Sequence, residues 1–171
     1  MRGIEVDVIG AGSLPEAPSR GEMQRLCAVA ASAAGVQNGH VAIEFVDAMR
    51  IAALNAEHRG KSGPTDVLSF PIDGAQPTLL GSPLAPPPPR ELGDVVICPE
   101  HTEDIREAVV HGVLHLVGMD HETDAGEMLA LQAEILRWEV IDPQNDAADG
   151  AGDPGRARDS GLGTSGKATP A

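Results

Sequence analysis

Apolar and polar residues alternate over several short stretches of the first 140 residues, which is the pattern of half-buried β-strands. Two stretches alternate strictly, and two others are short apolar runs bounded by proline or glycine. Together they predict four strands, over residues 4–9, 40–46, 66–70 and 92–98.

Between these stretches, apolar residues recur at helical spacing and predict four helices, over residues 19–34, 47–58, 99–117 and 123–140. Ser19 and Asp47 stand where N-cap residues are expected, and glycines at 35, 60 and 118 stand where helices should end. This mixture of elements predicts an α/β (α+β) domain, with a small mixed β-sheet covered by helices. Because aromatic residues make up only 2% of the chain, we expect an aliphatic core.

Two segments lack both patterns. Residues 73–90 are rich in proline and glycine and include four consecutive prolines, Pro86 to Pro89, which favour a polyproline II loop. After residue 142 the chain consists mainly of Gly, Asp, Ala, Ser and Pro. We therefore predict one folded domain over residues 1–142 and a disordered acidic tail over residues 143–171.

The N-terminal residues and the two cysteines predict a cytoplasmic protein. Cys27 and Cys98 form no CxxC pair, and each lies in an apolar run that predicts a small buried side chain. Residues 1–10 alternate like a strand rather than forming an export signal. No run approaches the roughly 18 apolar residues that predict a membrane span, so no membrane partner is expected.

The most informative stretch reads HGVLHLVGMDH over residues 111–121. His111 and His115 are four residues apart, so a helix presents both imidazoles on one face. Gly118 ends that helix and lets the chain turn back, so that His121 supplies a third nitrogen. Three neutral imidazoles with an open fourth position suit a catalytic zinc ion, whose bound water would have a pKa of roughly 7. The HxxxHxxxxxH motif thus predicts one Zn²⁺ held by three histidines and a water molecule.

The same spacing occurs in the zinc peptidase pattern HExxHxxGxxH. In that pattern a general-base glutamate follows the first histidine, but here Gly112 occupies the position. Asp120 and Glu122 flank the third histidine, and each is either an orienting group or a solvated charge. A zinc peptidase with a displaced general base is therefore an alternative.

Two parts of the chain together resemble the YbeY family of bacterial endoribonucleases. One is the histidine stretch, and the other is RGKSGPTDVLSFP over residues 59–71, followed by LGDVVI over residues 92–97. The resemblance implies a single-strand-specific, zinc-dependent endoribonuclease for 16S rRNA 3′-end maturation and ribosome quality control. It implies metal ligation by His111, His115 and His121, and a catalytic role for Arg59. The implied partners are ribosomal RNA, the small ribosomal subunit and ribosome-associated proteins. A non-catalytic zinc-bearing ribosome-assembly factor is a further alternative.

Net charge modifies that interpretation. The formal charge is −14, which argues against a strong non-specific grip on RNA. Positive charge is concentrated near the motif at Arg50, Arg59 and Lys61, which predicts a local basic lip on an acidic body. A guanidinium at residue 59 would stabilise negative charge on a phosphoryl group. Phe45 and Phe70 are expected in the core, and Asp66 as a turn or capping residue.

Overall fold

The computed structural model describes residues 3–73 and 90–141. Four strands and four helices follow one another in the order β1, α1, β2, α2, β3, β4, α3, α4. The strands are β1 (Ile4–Ile9), β2 (Gly39–Phe45), β3 (Val67–Pro71) and β4 (Glu91–Ile97), and the helices are α1 (Arg20–Ala33), α2 (Ala48–Arg59), α3 (Ile105–Leu116) and α4 (Glu127–Ile141). Two short 3₁₀ turns, Ala11–Ser13 and Pro99–His101, lie in connecting segments.

The four strands form one mixed sheet in the order β1-β2-β4-β3. β1 and β4 both run parallel to β2, whereas β3 pairs antiparallel to β4. Among the described strands β3 therefore lies at an edge of the sheet. The predicted mixed sheet covered by helices is confirmed.

The sheet separates two apolar clusters, as its alternating side chains require. The larger cluster packs α1, α3 and α4 against β1, β2 and β4, and includes Leu26, Ile43 and Leu114. The smaller cluster places Ile51 of α2 against Leu68 of β3. The histidine-bearing helix α3 is thus held firmly against one face of the sheet.

Both cysteines are buried and free, as expected from their apolar surroundings. Burial raises the pKa of the Cys27 thiol to about 12, and burial also raises the pKa of Cys98. Both side chains are therefore neutral thiols that pack as small apolar groups.

The expected caps form. The Ser19 hydroxyl accepts a hydrogen bond from the backbone N–H of Glu22, and the Asp47 carboxylate accepts one from the N–H of Arg50. Gly60, at a φ of 63°, ends α2. These local signals placed the first two helices to within one or two residues.

The predicted helix over residues 99–117 is wrong at its start, because the structure contains a 3₁₀ turn and then α3. The Thr102 hydroxyl and the N–H of His101 both donate to the carbonyl of Cys98. The Asp104 carboxylate then accepts from the N–H of Arg106 at 2.8 Å and begins a new helix. Side chains that bond to nearby backbone compete with helix continuation, which explains the break.

The last helix begins at Glu127, not at residue 123 as predicted. The Asp124 carboxylate accepts hydrogen bonds from the N–H groups of Gly126 and Met128, so this residue caps the helix from a turn. Residues 120–126 therefore form a separate segment beside α3 rather than the first turn of α4.

The proline-rich loop and the acidic tail over residues 143–171 lie outside the described residues, so the division at residue 142 stays a prediction. Within residues 3–73 and 90–141, no helix has the length and apolar character needed to cross a membrane.

Candidate metal centre

The face of α3 that carries the two histidines is oriented by close packing on its opposite side. Gly112 lies between the two histidines in the sequence and is buried. A Cβ at this position would lie 2.4 Å from Cγ1 of Val95 on β4. The Ser69 hydroxyl of β3 donates to the carbonyl of Gly112 at 3.1 Å. Since the glycine seats the helix on the sheet, His111 and His115 both reach the cleft beside β3.

A side chain from α4 orients the His111 ring. The Gln132 amide Nε2 donates to the Glu107 carboxylate at 3.0 Å, which leaves the amide oxygen facing Nδ1 of His111 at 2.8 Å. An amide oxygen only accepts hydrogen bonds, so Nδ1 of His111 carries the proton. The lone pair of His111 then lies on Nε2, which points into the cleft.

The His115 ring is fixed in the same tautomer. Its Nδ1 lies 3.0 Å from the Met119 carbonyl, which accepts a hydrogen bond and so requires the proton on that nitrogen. Burial of the imidazole, and next the neighbouring His111, lower the pKa of His115. A neutral imidazole with its lone pair on Nε2 is the form that binds a metal ion.

His121 approaches from a turn rather than from the helix. Gly118 adopts a φ of 94°, which reverses the chain after α3. The Asp120 carboxylate accepts a hydrogen bond from the N–H of Glu122 at 3.0 Å, and this bond is the largest cause that lowers the pKa of Asp120. Asp120 therefore shapes the turn that presents His121, rather than facing solvent as an isolated charge.

The three imidazoles meet as the sequence predicts. One ligand nitrogen from each of His111, His115 and His121 lies within 4.8 Å of the others. The Nε2 atoms of His111 and His115 are 3.2 Å apart, and both bear lone pairs. Two such lone pairs repel each other unless a cation lies between them. A tetrahedral ion with bonds of about 2.1 Å separates its ligand atoms by roughly 3.4 Å, so the donor set fits one metal ion.

The histidines line a cleft of about 1010 Å³. Its other walls come from the end of α2, the whole of β3 and the turn after α3. Arg59 and Lys61 line it, whereas Arg50 does not, so two of the three residues expected in a basic lip lie there. Asp66, Asp120 and Glu122 also line the cleft, which gives it mixed charge.

Comparison with known proteins decides the family. A family model described as "Endoribonuclease YbeY" matches residues 13–138. The chain belongs to the YbeY family. Relatives from several bacteria carry the same name. The one from Mycolicibacterium vanbaalenii is 42% identical over 57% of this chain and 60% of its own length. Those from Acidothermus cellulolyticus and Nitrobacter hamburgensis are 41% and 38% identical, over 69% and 81% of this chain and 78% and 80% of their own lengths.

In this YbeY-family chain Arg59 lies across the cleft from α3, at the last residue of α2. Its guanidinium is 3.9 Å from the carboxylate of Glu122, the residue after His121, and its side chain is 43% exposed. This loose, solvent-exposed pair keeps the guanidinium near the histidines while leaving N–H groups for another ligand.

The edge of β3 forms the floor of the YbeY-family cleft. The N–H of Cys98 donates to the carbonyl of Asp66, and the N–H of Ile72 donates to that of Leu92. Hydrogen-bonded pairs alternate along an antiparallel ladder, so residues 66, 68, 70 and 72 bond to β4. The backbone N–H and C=O groups of Val67 and Ser69 consequently face outward along the cleft. Asp66 lies in the bend before β3, in line with the expected turn residue, and its carboxylate accepts a hydrogen bond from the Thr65 hydroxyl.

The position of Gly112 disfavours the peptidase alternative. A glutamate there would have to place its Cβ against Val95, where no space exists. Its carboxylate would therefore have to displace the packing of α3 on the sheet before reaching the histidines. No carboxylate stands where the peptidase pattern requires its general base.

Two further residues of the YbeY site were not predicted from the sequence. Gln132 contacts His111 from 21 residues away on another helix, and His58 lines the cleft from α2. Phe45 is buried as expected, but Phe70 is only partly buried and lines the cleft. Helical or strand spacing cannot reveal such contacts, because they depend on how the elements pack.

Proposed function

We propose that this chain is a zinc-dependent, single-strand-specific endoribonuclease that matures the 3′ end of 16S rRNA and serves ribosome quality control. One observation carries the proposal: two imidazole lone pairs and a third histidine converge in an open cleft that also contains Arg59. Membership of a family named for endoribonuclease activity supplies the reaction class. Zinc is the ion of choice because three neutral imidazoles form its usual catalytic ligand set.

His111, His115 and His121 would hold the ion, while Gln132 and the Met119 carbonyl keep two of the imidazoles in the required tautomer. A bound zinc ion supplies Lewis-acid polarisation and a water of lowered pKa. Phosphodiester cleavage builds negative charge on the phosphoryl oxygens. Arg59 is the group we assign to that charge, since a guanidinium binds two oxygens at once.

The net charge of the chain favours a substrate that another component delivers to the cleft. The net charge is −14, and acidic residues lie inside the cleft, so the electrostatic attraction of the protein for RNA should be weak. We propose that the small ribosomal subunit, or a ribosome-associated protein, brings the RNA strand to the cleft in the cytoplasm. Naked RNA should then bind weakly, with an affinity that depends little on salt.

The test is cleavage of a single-stranded 16S rRNA 3′ fragment by zinc-loaded protein, by His115→Ala and by His101→Ala. His101 is exposed and does not line the cleft with the three histidines, so it is the matched control. We expect cleavage by the parent and by His101→Ala, and none by His115→Ala. Equal cleavage by all three would exclude this site as the nuclease centre.

The same protein samples should be assayed with casein and with assembled 30S particles. Casein cleavage that requires His115 would replace the nuclease proposal with the peptidase alternative. Binding to particles without cleavage of any RNA would instead indicate a zinc-bearing assembly factor.

A further inference from the structure

Two aromatic rings meet in the lining of the cleft that also holds the three histidines. The centroid of the His58 imidazole lies 4.9 Å from that of the Phe70 ring, with an angle of 71° between the planes. His58 belongs to α2 and Phe70 to β3, and both line the cleft. The contact therefore joins two elements at the surface where a substrate would lie.

The geometry of this pair leaves a ring face open. In an edge-to-face contact, at least one face of each ring stays free of its partner. The His58 side chain is 46% exposed, whereas Phe70 also packs against the smaller apolar cluster beneath it. Phe70 thus ties the imidazole to the smaller cluster, and His58 is the ring of the pair with a large exposed surface in the lining of the cleft.

The neighbours of the pair are the groups that a nucleic-acid strand requires. Arg59 follows His58 directly, and Lys61 lines the same wall. Cationic side chains beside an aromatic surface form the usual site for single-stranded nucleic acid, with phosphates on the cations and bases on the rings. The cleft also holds acidic residues: Asp120 and Glu122 lie on the turn beside His121, with Glu122 3.9 Å from the Arg59 guanidinium, and Asp66 precedes β3.

We propose that the His58–Phe70 ring pair stacks one unpaired nucleobase of the bound RNA strand. This inference rests on the proposed nuclease function and adds a specificity-determining site to it. A base inside a duplex keeps its faces covered by its neighbours, so only an unpaired nucleotide can lie against the imidazole. The pair therefore contributes to discrimination between single-stranded and paired RNA without touching the scissile phosphate.

The experiment combines two protein variants with a series of RNA substrates. His58→Ala removes the exposed ring, and Phe70→Leu removes the supporting ring while keeping an apolar side chain in the smaller cluster. Each is assayed with the parent RNA and with RNAs that carry one abasic nucleotide at successive positions near the cleavage site. Met49→Ala is the matched control, since Met49 is 79% exposed on α2 and does not line the cleft.

We expect His58→Ala to raise KM roughly 5- to 150-fold with a smaller change in kcat, because stacking one base contributes on that scale. Phe70→Leu should raise KM in the same direction, and Met49→Ala should leave it unchanged. At one position the abasic RNA should show the same KM increase with the parent enzyme, and no further increase with His58→Ala. At the other positions the two losses should multiply.

An unchanged KM for His58→Ala, or losses that multiply at every position, would overturn the stacking site. Both results require that the parent enzyme cleaves the intact RNA, so they leave the proposed function standing. If the parent itself fails to cleave, the proposed function fails and the stacking site fails with it. A KM increase only on assembled 30S particles would overturn the stacking inference in favour of a protein contact at the ring pair.

Discussion

The amide oxygen of Gln132 lies 2.8 Å from Nδ1 of His111. Because Glu107 accepts from the nitrogen of the same amide, the amide cannot turn over without breaking both contacts. A residue on α4 thus decides which nitrogen of a histidine on α3 carries the lone pair. We therefore expect the metal affinity of the site to depend on this second helix.

Gln132→Ala should weaken zinc affinity roughly 10- to 100-fold, as is typical when a group that orients a metal-bound histidine is lost. Affinity is measured by competition with a chromophoric chelator. Glu134→Ala is the control, because Glu134 is an exposed residue of the same helix. Equal affinity in both variants would show that Gln132 does not orient the ligand.

Arg59→Ala should lower kcat for RNA cleavage by about 100-fold, which is the scale for removing one group that stabilises transition-state charge. Zinc content should stay at the parent level, because Arg59 is not a ligand. Arg59→Lys should recover only part of the activity, since an ammonium cannot bind two oxygens in the plane of a guanidinium. Arg50→Ala, an exposed arginine of α2 outside the cleft, should cleave normally. Loss of zinc in Arg59→Ala would contradict a purely catalytic role.

The free energy of unfolding should decrease as the pH rises, because His40 loses its proton. Burial acts to lower the pKa of His40, but hydrogen bonds to Glu91 at 2.9 Å and Asp7 at 3.1 Å outweigh it, and the pKa is raised above 6.5. The charged form is therefore favoured in the folded state. Its contribution is complete below about pH 6.5 and is lost as the pH rises through the raised folded pKa.

His40→Gln should remove that part of the pH dependence. Between pH 5.5 and pH 8.5, the free energy of unfolding measured in urea should fall more for the parent than for the variant. The difference should be less than about 1 kcal/mol, because the ion pairs are partly exposed. Parallel pH profiles for the two proteins would contradict the assignment.

Gly112→Ala should destabilise the fold, although alanine is the better helix former. The added Cβ would lie 2.4 Å from Cγ1 of Val95, and overpacking of this kind costs about 1–3 kcal/mol. Thermal unfolding should show a melting temperature several degrees lower. Gly12→Ala is the control, because a Cβ there meets nothing within 4 Å, and it should have the melting temperature of the parent. An unchanged melting temperature for Gly112→Ala would show that α3 can shift away from Val95 without cost.

Local sequence patterns predicted most of the helices and strands correctly. Alternation located two of the strands, and short apolar runs bounded by proline or glycine located the other two. Capping residues located α1 and α2, and the four-residue interval between His111 and His115 placed both rings on one face of α3. The break before α3 and the late start of α4 were missed. Both depend on side chains, such as Asp104 and Asp124, that bond to the backbone in preference to helix.

The rest of the site depends on tertiary packing, and the sequence could not predict it. Gln132 reaches His111 only because α4 lies across α3, and His58 meets Phe70 only because α2 covers the end of β3. The outward orientation of the Val67 and Ser69 backbone follows from the register of β3 on β4. Such relationships join residues that are far apart in the chain.

The outward edge of β3 has a consequence for self-association. Unpaired strand edges are templates on which other chains add, and many proteins aggregate through them. Here the edge must stay open for the cleft to exist. Only Val67 and Ser69 offer both an N–H and a C=O along it, since the next outward residue, Pro71, has no N–H to donate. Two residues are too few to hold an added strand, so the protein keeps an accessible edge with little risk of forming fibrils there.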